Sequence, residues 1–483
     1  MKKPNILVLF VDQLRKDAIG AYGNTQVITP ALDSLAADST VFTQHFCSFP
    51  VCTPSRYSFL SGLYTHQHGC WTNHSTLSSE YETFPRILLK NGYRTQAVGK
   101  MHFTPTYLDV GFQHMCLSEQ DGNGRFEDDY HAHLMRHNLV DGIDVIDQRS
   151  EYRVNAKPGY FDSFGVEVSD LPEQYNSTAW VTDQALQRLE SWEDEGECMM
   201  ISYIKPHHPF DPSSRFVELY KNREIDLLSG YTEEVPAVDL GYNKGYFDNT
   251  KLSAEAAKEM TKYYYASITQ IDEGIQQILD LLKRKGLYDS TLILFTADHG
   301  DYLGFHHMAL KLNHMYDPVL HIPLFIKYPG KEGGVCTSLS DNTQVASAII
   351  AALGGDCFIG NHLPLADERE YVLAMNRQVV EGSERTCYAV RSKRYKLLVM
   401  GPMENSRLFD LYADPLELED VSRLSEYSQV LQSMQSFLVN CILFDYPFKN
   451  RYEPNAGVVV KTKEETDRQR EALQCYYQQK IVH

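Results

Sequence analysis

The sequence predicts an α/β fold: a large mixed, mostly parallel sheet with helices on both faces, followed by a smaller C-terminal α+β domain. Three observations predict it. Short continuous apolar runs recur from Ile6 to Thr296, as strands buried on both faces require. Longer stretches with apolar residues at helical spacing lie between them. From about Glu368 the texture shifts to alternating strands. A chain of 483 residues also exceeds one small core. We place the larger α/β domain at 1–367 and the smaller domain with its tail at 368–483.

Each element is argued from its residues. Ile6–Val11, Arg94–Val98, Met199–Ile204 and Thr291–Thr296 read as buried parallel strands. Ala254–Lys285 carries Met260, Tyr264, Ile268, Ile271, Ile275, Ile278 and Leu282 on one face and reads as one or two amphipathic helices. Tyr107 to about Asn176 and Gly230–Asn249 lack a clear period and read as insertions that rim a pocket or pack at the periphery. Tyr388–Val390, Tyr395–Val399 and Leu408–Tyr412 read as strands, and Glu426–Cys441 as a helix.

Hydrophobic residues at 43% and charged residues at 23% are the balance of a packed globule. A net charge of −19 argues against nucleic acid and anionic membranes as partners, since both need basic surfaces. The apolar run Ile6–Val11 is too short for a secretory leader, and no stretch has the length of a membrane span. The expected location is therefore the cytoplasm, where the ten cysteines would be free thiols.

The ends of the strands carry chemically active residues. The four predicted parallel strands end in Asp12-Gln13, Gly99-Lys100-Met101-His102, Lys205-Pro206-His207-His208-Pro209 and Asp298-His299-Gly300. Ligand sites of open α/β sheets form at this edge, so four such ends together indicate a site.

Residues 52–56 read Cys-Thr-Pro-Ser-Arg and run on to Leu60-Ser61-Gly62. Pro54 and Ser55 suit a helix start, which places Cys52 just before a helix N-terminus, with Arg56 one turn on and aimed back at it. A lone Cys-x-x-x-Arg would read as a buried cysteine; a tyrosine-phosphatase loop does not fit, because position 58 is serine. The full stretch resembles the signature of the type I sulfatases of the alkaline phosphatase superfamily, and the remaining motifs occur in that family's order: Asp12-Gln13, Gly99–His102, His207-x-Pro209, Asp298-His299-Gly300, Lys311, Tyr316-Asp317 and Ile322-Pro323. Tyr395-Lys396-Leu397 and Leu408–Leu411 resemble its last domain. The resemblance runs from about residue 4 to 420.

The resemblance implies a sulfuric ester hydrolase. Cys52 would be oxidised to formylglycine by a maturation enzyme and hydrated to a diol whose hydroxyl attacks sulfur. Asp12, Gln13, Asp298 and His299, with an oxygen of modified Cys52, would hold one divalent metal, Ca²⁺ by donor type, with Mg²⁺ or Mn²⁺ also open. Gln13 and His299 stand where Asp and Asn are commoner, which widens the choice toward transition metals. Arg56, Lys100 and Lys311 would carry positive charge near the ester, His207 would protonate the leaving oxygen, and His102 would take the proton of the second hydroxyl. His66, His68, His306 and His307 are read as structural or as supports behind the site residues. The substrate would be a small aryl, sugar or alkyl sulfate. The alternative is a phosphonate or phosphate monoester hydrolase of the same superfamily, which the stretch His306-His307…Lys311…Tyr316-Asp317-Pro318 also resembles; intact Lys100 and His102 favour the sulfatase.

Overall fold

The structure, a computed structural model, describes residues 3–120, 128–140, 156–236, 239, 247–311, 314–351, 360, 365, 368–380 and 383–444. Parts of both insertions and most of the last forty-odd residues lie outside these. The chain divides into two compact units, Met1–Val439 and Asn440–His483. The second is described only at 440–444, which are helical. The domain junction expected after 367 lies inside the first unit.

In chain order the strands are β1 (Asn5–Asp12), β2 (Thr40–Phe42), β3 (His45–Phe46), β4 (Arg94–Gly99), β5 (His114–Leu117), β6 (Glu197–Pro206), β7 (Thr291–Ala297), β8 (Leu324–Lys327), β9 (Gly334–Cys336), β10 (Ser340–Asp341), β11 (Val372–Val380), β12 (Ser383–Arg391), β13 (Tyr395–Val399) and β14 (Arg407–Asp410). Eight form one sheet in the order β5-β4-β6-β1-β7-β8-β2-β9. Among these described strands only β8 runs against its neighbours. The mostly parallel sheet is thus as expected, and the four strands recognised from sequence are contiguous within it.

The reason lies in β1. All eight of its residues are buried, and their side chains alternate between faces. Leu7, Leu9 and Val11 join one core with helices α1 (Pro30–Ala37), α4 (Ser177–Leu189) and α5 (Ala254–Arg284). Ile6, Val8 and Phe10 join the opposite core with α2 (Cys52–Ser61), α3 (Phe84–Lys90) and α6 (Val345–Ala351). Ala254–Lys285 is therefore one helix, capped by Ser253, whose side chain accepts the Ala256 N–H.

Strands β11–β14 form a separate antiparallel sheet, with α7 (Ser428–Phe444) after it. This is the expected smaller α+β element. It meets Asp317, in the connection between β7 and β8, through Lys396 at 2.9 Å and Arg391 at 3.1 Å, and Lys396 also binds fully buried Glu417 at 2.8 Å. Among the described residues no helix is long and apolar enough to cross a membrane.

Candidate active site

Strands β4, β6, β1 and β7 are neighbours and parallel, so their C-terminal ends open at one edge. Asp12, Lys100, His102, His207, Asp298 and His299 all arrive there, and all are buried. Backbone strain helps to place them. Gln13 and His102 have φ of 61° and 55°, a left-handed conformation that costs a non-glycine residue free energy. Gly99, at φ 90°, lies where a Cβ would meet the Ser202 carbonyl at 2.0 Å, so only glycine lets β4 turn into Lys100.

Helix α2 begins at Cys52 itself, two residues earlier than the Pro54-Ser55 start suggests, and closes at Gly62 with φ 69°. Cys52 is thus in the first turn, where N–H groups and dipole favour an anion. Ser55 staples the helix to the end of β7, its Oγ donating to the Asp298 carbonyl at 2.7 Å. Arg56 is fully buried, and its hydrogen bonds run to the carboxylates: Nε donates to Asp298 Oδ2 at 2.9 Å and Nη2 to Asp12 Oδ2 at 3.1 Å. Nη1 donates to the Lys100 carbonyl and to Ser202 Oγ. Burial works against the charge of Arg56, but Asp298 and Asp12 more than offset it.

Asp12 is the electrostatic centre. Lys100 Nζ lies 2.7 Å from its Oδ2. Burial pushes its carboxyl upward, yet Lys100, Arg56 and Lys311 hold it well below the ordinary range, so it stays ionised. The other oxygen, Oδ1, faces Cys52 Sγ at 3.9 Å. His299 Nδ1 donates to the Gly300 carbonyl at 2.9 Å, which leaves Nε2 with a lone pair 3.4 Å from Cys52 Sγ. Burial pulls its pKa down although Asp298 and Asp12 oppose this, favouring the neutral ligand form.

The donors of Asp12, Cys52, Asp298 and His299 all lie within 4.8 Å of one another. Gln13 lies beside this set, its N–H donating to Asp298 Oδ1 at 2.9 Å. Its Nε2 donates to Asp301 Oδ2, and its amide oxygen is buried with no hydrogen-bond partner. An orphaned buried carbonyl costs free energy unless something positive meets it. Two carboxylates, an amide oxygen and a neutral imidazole fit a divalent cation.

Lys311 Nζ lies 2.9 Å from Cys52 Sγ and 3.0 Å from His207 Nε2. Burial lowers its pKa, but Cys52 and Asp12 outweigh that and keep it charged. His207 Nδ1 donates to the His208 carbonyl at 2.7 Å, which aims Nε2 at the site. His102 is tied to helix α2, which begins at Cys52, with Thr53 Oγ1 donating to its carbonyl at 2.7 Å.

The catalytic and metal-ligand candidates singled out by sequence therefore lie at one edge. The four set aside do something else: His68 binds Ser58 Oγ, His306 binds Asp239 and the Leu416 carbonyl, His307 binds the Thr232 carbonyl, and His66 stacks on Tyr64. Ser55, Ser202 and Asp301 were missed. Ser55 lay inside the motif and was readable; Ser202 and Asp301 carry no signal beyond sitting near strand ends.

Comparison with known proteins agrees with this geometry. The chain is 27% identical to an arylsulfatase of Clostridium perfringens, over 90% of this chain and 94% of that protein. It is 27% identical to a choline-sulfatase of Rhizobium meliloti, over 87% and 82%. The phosphonate monoester hydrolase of Agrobacterium radiobacter shares the fold, with a TM-score of 0.75 at 20% identity, covering 90% of this chain and 95% of that one. The sulfatase family model matches residues 4–355, most of the chain, and together with the constellation around Cys52 this makes the chain a member of the sulfatase family and a hydrolase of sulfate esters.

Proposed function

We propose that the enzyme cleaves sulfate monoesters through Cys52 converted to formylglycine, beside one Ca²⁺ held by Asp12, Gln13, Asp298, His299 and an oxygen of the modified residue. The observation that carries this is the position of Cys52 Sγ, between the metal-type donors on one side and the Lys311 ammonium on the other. Sγ marks the place of the oxygens that residue 52 would bear after modification. Bound, the metal would supply positive charge beside the nucleophile and lower the pKa of its hydroxyl. The hard oxygens of Asp12, Asp298 and Gln13 favour calcium, with His299 the one softer donor.

The chain's own residues divide the remaining work. Lys311, between residue 52 and His207, neutralises charge on the ester oxygens at the point of attack. His207 Nε2 faces the same point and donates a proton to the departing alcohol oxygen. Arg56 and Lys100 hold Asp12 ionised. His102, tied to the start of α2, takes a proton from residue 52 so that sulfate can depart.

Two measurements on one sample test this. Mass analysis of the peptide holding residue 52 should show the aldehyde in active preparations. A panel of aryl, sugar and choline sulfates beside a phosphonate monoester should give the higher kcat/KM on a sulfate. Cys52→Ala should fold and show no turnover. Activity retained in that variant overturns the nucleophile, and a clear preference for the phosphonate moves the enzyme to the alternative ester.

A further inference from the structure

One buried carboxylate outside the catalytic constellation grips the turn that carries His102. Glu119 lies just beyond β5 and is 3% exposed. Its Oε1 accepts the N–H groups of Met101 and His102, both at 2.9 Å, and its Oε2 accepts the His102 N–H at 3.1 Å. Thr53 Oγ1 holds the His102 carbonyl from the other side at 2.7 Å. Both peptide groups of His102 are therefore fixed, and the residue between them is held at φ 55°. A left-handed histidine relaxes unless its surroundings over-determine it. Glu119 and Thr53 are those surroundings.

A carboxylate is a costly choice for the purpose. Burial pushes the Glu119 pKa up to about 7, against the His102 N–H and Lys100, which pull it down. The Glu119 N–H is itself held by Asp128 Oδ2, so the clamp is braced in turn. One oxygen accepting two adjacent N–H groups, with the second oxygen reinforcing one of them, is a grip that a smaller polar side chain does not reproduce.

We propose that Glu119 is a positioning residue: it holds the Met101–His102 turn in the left-handed conformation that presents His102 to residue 52. The proposal rests on the role assigned to His102 in the proposed function, and it names a residue that touches neither ester nor metal ligand.

The test separates the two ideas. In protein left unmodified at Cys52, amide hydrogen exchange at Met101 and His102 is compared between wild type and Glu119→Ala; it should speed up by about 10-fold or more as the two bonds are lost. In modified enzyme, His102→Ala should lower kcat by ~10²–10⁴-fold, the usual worth of a positioned acid–base group. Glu119→Ala should lower kcat by roughly 10²-fold with KM nearly unchanged, the effect of a misplaced catalytic group. Added to His102→Ala, Glu119→Ala should cost nothing more, because it acts only through that residue. Glu119→Gln keeps an acceptor oxygen and should retain most of the activity; it serves if the alanine variant fails to fold. Normal kcat in His102→Ala overturns the reading of His102 alone. Additive losses in the double variant, or unchanged exchange at Met101 and His102, overturn the role of Glu119.

Discussion

Two of the places where the protein gathers charge differ in a way that separates a binding site from a joint. At the joint between the sheets, Asp317 and Glu417 face Arg391 and Lys396, two carboxylates against two cations. Around Cys52, Asp12 and Asp298 face Arg56, Lys100 and Lys311. Lys311 directs its hydrogen bonds to Cys52 Sγ and to His207, and among the described residues no ion pair holds it. The joint pairs its charges among themselves. The site keeps a positive surplus that a bound cation would enlarge, in a chain whose overall charge is −19. A fixed, buried field of this kind suits an anion.

The largest expected effect removes the metal side of this comparison. Asp298→Ala should lose metal and turnover together, by roughly 10³-fold or more in kcat, because a bound metal contributes several kcal/mol of charge stabilisation. Elemental analysis beside kinetics reads both. Full metal content in the variant would show that the ligand set has been misassigned.

The next test crosses the two regions. Lys396→Met leaves fully buried Glu417 without its cation, while Asp317 keeps Arg391, and should cost about 3–5 kcal/mol of stability by denaturant unfolding, the penalty of an uncompensated buried charge. Its turnover per folded molecule should stay near wild type. Lys311→Met should do the reverse: stability within about 1 kcal/mol of wild type, with kcat/KM lower by ~10²–10³-fold. If both variants lose stability alike, charge balance does not distinguish the regions.

The two regions were unequally legible. The sheet was readable because β1 is apolar almost throughout, and its side chains fill both cores in alternation. The site was readable where chemistry is contiguous, as in Cys52–Arg56 and Asp298-His299. It was opaque where partners come from distant strands. Arg56 looked set to face Cys52, yet its bonds go to carboxylates 44 and 242 residues away. Gln13 with Asp301, and Glu119 beneath His102, are pairings of the same kind, made only when strand ends converge. The joint was opaque for that reason: Asp317 and Lys396 each stand in a stretch that resembles the family, but nothing along the chain pairs them until the two sheets meet.

The smallest expected effect asks whether balance or burial makes the joint matter. Arg215 pairs with Glu173 at 2.7 Å and with Glu273 at 2.7 Å, using both arms of its guanidinium. The geometry is as good as at the joint, but the three side chains are 48%, 40% and 47% exposed. Water and salt already solvate such charges, so the pairing contributes little net free energy. Arg215 also lies over the Phe216 ring at 4.1 Å, and methionine keeps an apolar stem there. Arg215→Met should therefore cost less than about 1 kcal/mol, a melting shift of at most about 2 °C for a chain of this size. The shift should shrink further in high salt, while the loss in Lys396→Met should persist there. A loss in Arg215→Met that matches Lys396→Met and survives high salt would show that pairing geometry, not burial, sets the worth of these ions.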